Sequence, residues 1–371
     1  MKLNAYPVSR RRFIGQLSAA GALALLPRSS WAAEPSEKRL GVALVGLGNY
    51  SRGELGPALK KTQHCRLAGV VTGSHDKGVK WAKEYGFSEK NIYSYDTMQQ
   101  LADNPEIDIV YVVTPNGLHA EHCVAAAKAG KHVICEKPMA NTVADCDTII
   151  AACQAAKVRL SVGYRLHFDP YHKEMMRLAQ SDQFGPFMKM RGSFSFPMNR
   201  RPWRAIRKYS GGGPLMDVGI YVVHEACMAA GGAAPVAVTA QEILPKKRPD
   251  IFQDVEETIA WQMEFANGAV CDGRSSYQEG GNDFHAESER GWVDFSSAYI
   301  YRGLAATTSR GPLSFKPEVC QQALQMDDFS ECLQTGRASP VPGELGRRDM
   351  TIIEAIYASA AAGGKRTLVK A

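Results

Sequence analysis

A glycine-rich segment near the start of the chain has the spacing of a turn that holds phosphate. It reads GLGNYS at positions 46–51 and directly follows an apolar run at 40–45. In such a turn the first glycine allows a tight bend, and the second lets backbone amides at a helix start approach a pyrophosphate. The third small residue here is Ser51. The residues that we expect to contact a dinucleotide at this turn are Gly46, Gly48, Asn49 and Tyr50.

The residues after the second predicted strand favour NADP over NAD. An NAD site usually has Asp or Glu at the end of that strand, where the carboxylate bonds the ribose hydroxyls. Here the strand predicted at 66–71 is followed by TGSHDK, which has no acid in its first three positions. Ser74 and Lys77 can instead bind a 2′-phosphate. NADP is therefore the predicted cofactor, and Asp76 is the feature that keeps NAD open.

The pattern of apolar runs predicts the elements that position these residues. Short, almost wholly apolar runs, typical of buried parallel strands, alternate with stretches that have apolar residues at helical spacing. The predicted strands are 40–45, 66–71, 107–113, 132–135 and 159–162, and the predicted helices are 79–85, 118–129 and 143–156. Strand–helix repetition of this kind predicts an α/β fold with a doubly wound, Rossmann-type parallel sheet.

After about residue 163 the pattern changes to longer alternating runs. After a run at 187–196, the predicted strands are 236–243, 256–265, 269–277 and 292–295, and the predicted helices are 170–180, 215–229, 321–332 and 347–361. Alternation of apolar and polar residues is typical of antiparallel strands with one buried face. We therefore expect an α+β domain on an open, mostly antiparallel sheet. Its uncovered face favours a homodimer or homotetramer.

The first 32 residues have the order of regions that a secretory signal has. A basic segment, SRRRFI at 9–14, precedes an apolar run at 17–26 and small residues at Ser30 and Ala32. The paired arginines resemble a twin-arginine signal, whose machinery exports folded proteins. An apolar run of about ten residues is too short for the roughly 20 that span a bilayer. We expect a periplasmic protein without stable membrane insertion, cleaved after Ala32.

Charge and cysteine usage exclude several classes of partner. Five of the basic residues precede Glu34, the first acid, so most of the net charge of +6 lies in the predicted signal. The remainder is nearly neutral, which argues against nucleic acid or an anionic membrane as a partner. Nine cysteines without a CxxC pair argue against a disulfide framework or a zinc site, so no metal is expected. Free thiols also agree with folding in the cytoplasm before export.

These observations predict three segments. Residues 1–32 are the export signal, 33–163 the dinucleotide-binding domain, and 164–371 the α+β domain for substrate binding and oligomerisation.

Two further motifs, together with the glycine-rich turn, carry a resemblance to a known family. TPNGLH at 114–119 leads to AGKHVICEKP at 129–138, and GGGPLMDVGIY lies at 211–221. From about Leu40 onward the chain resembles the Gfo/Idh/MocA family of sugar oxidoreductases. Through ADC at 144–146, GYR at 163–165, DP at 169–170 and WR at 203–204, it is similar to the glucose–fructose oxidoreductase branch. The resemblance implies an NADP-dependent enzyme with a small sugar substrate.

The resemblance assigns the catalytic centre to Lys137, Tyr221 and Asp217. Lys137 would bond near the reacting hydroxyl, and Tyr221 occupies the acid/base position. Asp217, one helical turn earlier, would orient Tyr221 or bind substrate, and His224 is the alternative base. Tyrosine is a poor base at its free pKa of about 10. A nearby ammonium favours the phenolate, so the implied pairing suits removal of a hydroxyl proton.

The resemblance also implies contacts outside this centre. The implied cofactor-binding residues are Pro115, Asn116, His119, Glu136, Lys137, Arg165, Trp203 and Arg204. The implied sugar-binding residues are Lys137, Tyr164, Asp217 and Tyr221. Several alternatives stay open: a capping asparagine, a surface histidine, and packing at the domain junction for residues 164, 165, 203 and 204. The segments 198–209 and 278–288 are expected to be loops that set sugar selectivity.

The implied reaction is oxidation of an aldose at C1 to its lactone. The NADPH formed would either exchange or stay bound and reduce a second sugar. Two alternatives are an NAD-dependent glycosidase of the same family and a non-catalytic sugar-sensing protein. The missing acid after the second strand argues against the first, and the presence of both Lys137 and Tyr221 argues against the second.

Overall fold

Six strands in the first half of the chain form one parallel sheet. They are β1 (Leu40–Val45), β2 (Cys65–Val71), β3 (Ile92–Tyr93), β4 (Ile109–Val112), β5 (His132–Cys135) and β6 (Leu160–Val162), in the spatial order β3-β2-β1-β4-β5-β6. This order is that of the doubly wound Rossmann fold, so the predicted fold of this half is confirmed. The computed structural model describes residues 38–316 and 318–370. The predicted export signal lies outside the described residues and stays a prediction.

The helices of this half follow the predicted strand–helix alternation. They are α1 (Gly56–Leu59), α2 (His75–Tyr85), α3 (His119–Lys128) and α4 (Val143–Ala155). Helix α2 begins four residues before the predicted start, because Ser74 caps it and accepts a hydrogen bond from the Lys77 amide. Strand β3 was not predicted, since two residues are too few to show a pattern.

The second half forms a nine-stranded sheet. Its strands are β7 (Lys189–Ser195), β8 (Ala237–Glu242), β9 (Thr258–Glu264), β10 (Val270–Ser276), β11 (Gly281–Ser288), β12 (Gly291–Phe295), β13 (Thr307–Thr308), β14 (Gly311–Pro312) and β15 (Thr367–Leu368). The order is β14-β13-β12-β11-β7-β10-β9-β8-β15, and all neighbours are antiparallel except β7 and β10. The predicted mostly antiparallel sheet is confirmed.

Five helices accompany this sheet: α5 (Pro170–Ala179), α6 (Arg207–Ser210), α7 (Ile220–Ala229), α8 (Gln321–Thr335) and α9 (Gly343–Ala361). Helix α7 continues from a π-helical turn at Leu215–Gly219. Helix α8 packs back onto the first sheet, where Met326 and Phe329 join the apolar cluster of β1. From Arg39 onward the chain forms one compact unit, so the domain boundary at residue 163 stays a prediction.

Strand β11 corrects the prediction of a loop at 278–288. Phe284 and Ala286 are fully buried on one face, whereas Asp283 and Glu287 are exposed on the other. The segment contains two adjacent glycines, at 280 and 281, followed by Asn282, a composition typical of turns. Pairing with β7 along its length nevertheless holds it in the sheet.

Cysteines and helix lengths complete the description. All nine cysteines have free thiols, and eight of them are buried. Within residues 38–316 and 318–370 no helix combines the length and apolarity needed to cross a bilayer. In the same part of the chain no cluster of His, Cys, Asp and Glu side chains is arranged to hold a metal ion.

A buried ion triad connects α5 with α7. His172, which is fully buried, has its Nδ1 atom 3.2 Å from Asp169 Oδ1 and its Nε2 atom 3.1 Å from Glu225 Oε1. Burial opposes the imidazolium charge, but the two carboxylates outweigh it and raise the pKa of His172 to about 9. The charged triad therefore holds the two helices together at neutral pH.

We predict that the imidazole of His172 titrates near pH 9 in the folded protein. The pKa of His172 in the folded protein is raised above its unfolded value of about 6.5. The contribution of its charge to stability is therefore complete below about pH 6.5 and is lost as the pH rises through 9. NMR titration of the histidine ring carbons, with the resonance assigned from His172→Gln, measures the midpoint. A midpoint near 6.5 would contradict a charged triad.

Candidate active site

The glycine-rich turn has the backbone geometry of a phosphate cradle. Gly46 has a φ of +97°, and a Cβ atom there would lie 3.1 Å from the Thr114 side chain. A Cβ atom at Gly48 would meet no atom within 4 Å, so the backbone there borders open space. The Ser51 hydroxyl donates to the Gly46 carbonyl at 2.6 Å. Serine in the third position thus closes the turn, and the turn fits a dinucleotide.

The end of β2 presents exposed polar groups next to this turn. Ser74, Asp76 and Lys77 are all exposed at the start of α2. The Ser74 hydroxyl oxygen accepts a hydrogen bond from the Lys77 backbone amide at 3.4 Å. The Ser74 backbone amide donates to Thr72 Oγ1 at 3.2 Å. The helix N-terminus and the lysine side chain favour an anion here.

A cavity of about 610 Å³ lies at the carboxyl ends of β1, β4 and β5, facing α7. Ligands of doubly wound sheets bind at this edge. The predicted site residues that line the cavity are Asn49, Tyr50, Asn116, His119, Glu136, Lys137, Trp203, Arg204, Asp217 and Tyr221. Most of the predicted site is therefore brought together in one place.

Lys137 is held in this cavity at the end of β5. Its Nζ atom donates to the Asp217 carbonyl at 2.8 Å and lies 4.2 Å from the centroid of the Tyr221 ring. The Lys137–Pro138 peptide is cis. The ammonium therefore stands over the ring of the predicted acid/base.

Tyr221 has a second cation next to it. The Nε atom of Arg165 donates to the Tyr221 hydroxyl oxygen at 3.3 Å. The predicted cofactor role of Arg165 does not fit this position, because the side chain is 1% exposed and lies behind Tyr221 instead of lining the cavity. The guanidinium is drawn there by backbone carbonyls, among them that of Tyr299 at 2.5 Å.

The carboxylate of Asp217 contacts neighbours other than Tyr221. Its Oδ1 atom accepts from Arg204 Nε at 3.0 Å, and its Oδ2 atom accepts from the Tyr277 hydroxyl at 3.0 Å. The Arg204 guanidinium in turn lies 4.4 Å from the Trp203 ring centroid. Asp217 thus fixes the cavity wall through its side chain and Lys137 through its carbonyl.

The TPNGLH turn is held by hydrogen bonds within the protein. The Asn116 amide donates to the Ser210 carbonyl at 2.9 Å, and the buried His119 ring lies 3.0 Å from the Pro138 carbonyl and 2.8 Å from that of Thr114. Burial opposes a charge on this ring, but Cys135 and both carbonyls raise the pKa of His119. His119 therefore fastens the turn to the segment that carries Lys137. Pro115 starts the turn but does not line the cavity.

Glu136 lies under the cavity floor. Its Oε1 atom accepts from the Tyr111 hydroxyl at 2.5 Å, and its Oε2 atom accepts from the Lys137 amide at 3.1 Å. Burial raises the pKa of the Glu136 carboxyl. The residue fixes the backbone at Lys137 from below.

Tyr164 and His224 lie outside the cavity. The Tyr164 ring stacks on the His224 ring at 3.8 Å between centroids, and His224 Nδ1 is 2.7 Å from Asp349 Oδ2. Both side chains are buried against α9. The predicted substrate role of Tyr164 is therefore not supported by its position, because its ring packs on His224 and does not line the cavity. His224 is likewise removed from the reacting groups.

Three glycines precede the helix that carries Tyr221, and a side chain at any of these positions would strain the backbone or clash with a neighbour. Gly211 has a φ of +79°. A Cβ atom at Gly212 would lie 1.9 Å from the Tyr357 hydroxyl, and one at Gly213 would lie 2.1 Å from the Glu256 carbonyl. The Glu256 carboxylate accepts from the Gly213 amide at 2.9 Å, the Leu215 amide at 3.2 Å and the Tyr357 hydroxyl at 2.8 Å. It thereby caps the turn from which α7 continues.

Several cavity residues had no signal in the sequence. Tyr301, Phe194 and Phe196 line the cavity, and Tyr277 bonds Asp217. They lie at strand ends or in connections of the second sheet, far in sequence from the motifs. Only the concentration of aromatic residues at 299–301 could have indicated Tyr301.

This arrangement suits proton transfer at a hydroxyl group. A phenol that stands between an ammonium and a guanidinium can carry negative charge, because both cations stabilise it. The neighbouring glycine-rich turn provides for a dinucleotide at the same edge of the sheet.

Two family models match this chain. The model of the oxidoreductase family with an NAD-binding Rossmann fold, GFO_IDH_MocA, matches residues 40–164. The model of the GFO/IDH/MocA C-terminal domain matches residues 172–294.

The chain is also similar to individual proteins. An aldose-aldose oxidoreductase from Caulobacter crescentus, crystallised with glycerol, has a TM-score of 0.86 at 39% identity, covering 89% of this chain and 100% of that one. D-xylose 1-dehydrogenase (NADP+) of Haloarcula marismortui is 26% identical over 329 residues, which are 85% of this chain and 89% of the relative. Levoglucosan dehydrogenase, in complex with NADH and levoglucosan, shares the fold at 21% identity and a TM-score of 0.75, covering 90% of this chain and 100% of that one.

We predict that Glu256→Leu destabilises the turn before α7. Two backbone amides and a hydroxyl would lose their buried acceptor, at about 1–3 kcal/mol for each unsatisfied group. Urea denaturation followed by circular dichroism measures the loss. Tyr357→Phe is the matched control, because it removes one donor and leaves both amides bonded. Equal stability of Glu256→Leu and the wild type would contradict a capping role.

Proposed function

Since the chain belongs to the Gfo/Idh/MocA family of oxidoreductases, we propose that it oxidises an aldose at C1 to the lactone with NADP+. We further propose that the reducing equivalents then pass to a second sugar in the same site. The similarity to an aldose-aldose oxidoreductase supports the pair of sugars. The similarity to an NADP+-linked D-xylose 1-dehydrogenase supports the cofactor.

The position of the Tyr221 hydroxyl between two cations carries this proposal. The ammonium of Lys137 lies over its ring, and the guanidinium of Arg165 donates to its oxygen. Lys137 and Tyr221 line a cavity that borders the glycine-rich turn. Among general bases, a tyrosine works at neutral pH only when its phenolate is stabilised in such a way.

Each residue of the centre has a defined task in the proposed reaction. When bound, NADP+ supplies the hydride acceptor. Tyr221 takes the proton of the C1 hydroxyl, while Lys137 and Arg165 stabilise the negative charge on the base. Reduction of a second sugar takes this proton back from Tyr221, so the two half-reactions together need no external base.

The cofactor preference rests on the end of β2. Ser74 and Lys77 are exposed at the helix start that follows this strand, which suits a 2′-phosphate. Asp76 lies in the same turn and would disfavour that phosphate, so the balance between Lys77 and Asp76 decides between NADP and NAD.

We predict that Tyr221→Phe and Lys137→Ala each lower sugar-dependent formation of NADPH by about 10²-fold or more. The cofactor itself should still bind, since the glycine-rich turn at 46–51 would hold its phosphates. Stopped-flow absorbance of the nicotinamide, with a panel of aldoses and then ketoses, measures both half-reactions.

Tyr164→Phe is the control for these variants, because Tyr164 lies outside the cavity. It should keep wild-type rates. Full turnover in Tyr221→Phe and Lys137→Ala would exclude this centre, and no absorbance change with any aldose in the wild type would exclude the proposed reaction.

We predict that Lys77→Ala raises the KM for NADP+ about tenfold and leaves the KM for NAD+ unchanged. One lost charge-assisted hydrogen bond accounts for this size. Steady-state kinetics with both cofactors measures the change, and Lys80→Ala, an exposed lysine on the same helix, is the control. An equal effect on both cofactors would show that Lys77 does not read the 2′-phosphate.

A further inference from the structure

The guanidinium of Arg165 is buried among neutral acceptors. Its Nη2 atom donates to the Tyr299 carbonyl at 2.5 Å. Its Nη1 atom donates to the Ile300 carbonyl at 3.4 Å and to Gln321 Oε1. The Nε atom donates to the Tyr221 hydroxyl oxygen at 3.3 Å. Tyr221 is the member of this set that can become negative. A desolvated cation without a carboxylate in direct contact favours negative charge on that oxygen.

The orientation of this guanidinium is set by residues further away. Gln321, the first residue of α8, presents its Oε1 atom to Arg165 and donates through Nε2 to Asp169 Oδ2 at 2.9 Å. Because the amide nitrogen is held by a carboxylate, the amide oxygen must face the guanidinium. Asp169 in turn contacts His172 of the buried triad.

The chain of contacts returns to the helix that carries the base. His172 lies 3.1 Å from Glu225, which is on α7 one turn after Tyr221. Asp169, His172, Glu225 and Gln321 are each at most 2% exposed. A closed set of buried polar contacts therefore runs from Tyr221 through Arg165 and back to α7. Such a set has few alternative arrangements, since breaking one contact leaves a buried group unpaired.

The charges in this set balance when His172 is protonated. Asp169 and Glu225 then share one imidazolium, which leaves the triad with one negative charge, and the guanidinium of Arg165 supplies the balancing positive charge.

We propose that Arg165 is the buried cation that stabilises the negative charge on Tyr221, and that Gln321, Asp169 and His172 are positioning residues that hold it there. This inference rests on the proposed function, in which Tyr221 is the base. The Lys137 ammonium then contacts the face of the Tyr221 ring from the cavity, and the buried Arg165 guanidinium donates a hydrogen bond to the Tyr221 hydroxyl oxygen.

Other titratable groups also face Tyr221 and stay unchanged in the test. Lys137 contacts its ring from the end of β5, and Tyr299 lies 5.7 Å away between ring centroids. Tyr301 and Tyr50 share the surroundings of the same guanidinium. A change at Gln321 alters none of these groups directly.

The test compares Gln321→Leu with Gln322→Leu. Gln322 is the next residue of α8 and equally buried, but its Nε2 atom has no hydrogen-bond partner. Gln321→Leu should lower kcat about tenfold or more, as for a lost charge-assisted contact. The KM for the aldose should change less than about twofold, and the acidic limb of the pH–rate profile should move to higher pH. Gln322→Leu should match the wild type in all three.

A second measurement decides the inference without any turnover. The phenolate absorbance of Tyr221 is obtained by subtracting the titration of each protein's Tyr221→Phe version. We expect this phenolate to form at higher pH in Gln321→Leu, and higher still in Arg165→Met, than in the wild type. Identical titrations in wild type, Gln321→Leu and Arg165→Met would overturn the inference. A wild type that forms the phenolate as expected but oxidises no aldose would overturn the proposed function alone.

Discussion

Burying the guanidinium of Arg165 is the constraint on which the rest of the centre depends. A cation with 1% exposure must find acceptors in fixed positions, or its desolvation is not compensated. Here the acceptors come from the connection after β12, from the start of α8 and from α7. Ile300 and Gln321 are 135 and 156 residues from Arg165 along the chain. The site therefore exists only when both sheets and the last helices have packed.

The base is held as firmly as the cation behind it. The turn before α7 is capped by Glu256, and the Asp217 carbonyl in the first turn accepts from Lys137. The Asp217 carboxylate adds Arg204 and Tyr277 from two other segments. Tyr221 has little freedom to move relative to Lys137, because every contact near it is made by a buried or half-buried group. Such fixed charges stabilise a developing charge without reorganisation.

The sequence predicts the fold and the central pair better than it predicts the surroundings. Buried parallel strands are nearly all apolar, so β1, β5 and α4 were predicted within a residue, and the lysine and tyrosine motifs indicated their shared cavity. Tyr164 and Arg165 show where such reasoning ends. They are neighbours in one motif, yet Tyr164 packs on His224 and Arg165 lies behind Tyr221. That difference depends on partners in α8 and α9, which no local pattern reveals. Tyr277 and Tyr301 were not predicted for the same reason, since long-range packing alone brings them to the site.

Two consecutive glutamates, Glu256 and Glu257, stabilise different parts of the site: the first supports the catalytic centre and the second supports the cavity wall. Glu256 caps the turn that leads to Tyr221, whereas Glu257 binds Arg248 at 3.1 Å. Arg248 then bonds the Met198 carbonyl and the Asn199 side chain, on the segment that forms the opposite wall. The two carboxylates therefore support different segments around the same cavity, and the bond from Arg204 to Asp217 connects them. In the proposed function, we expect the choice of sugar to depend on the cavity wall at residues 196–204.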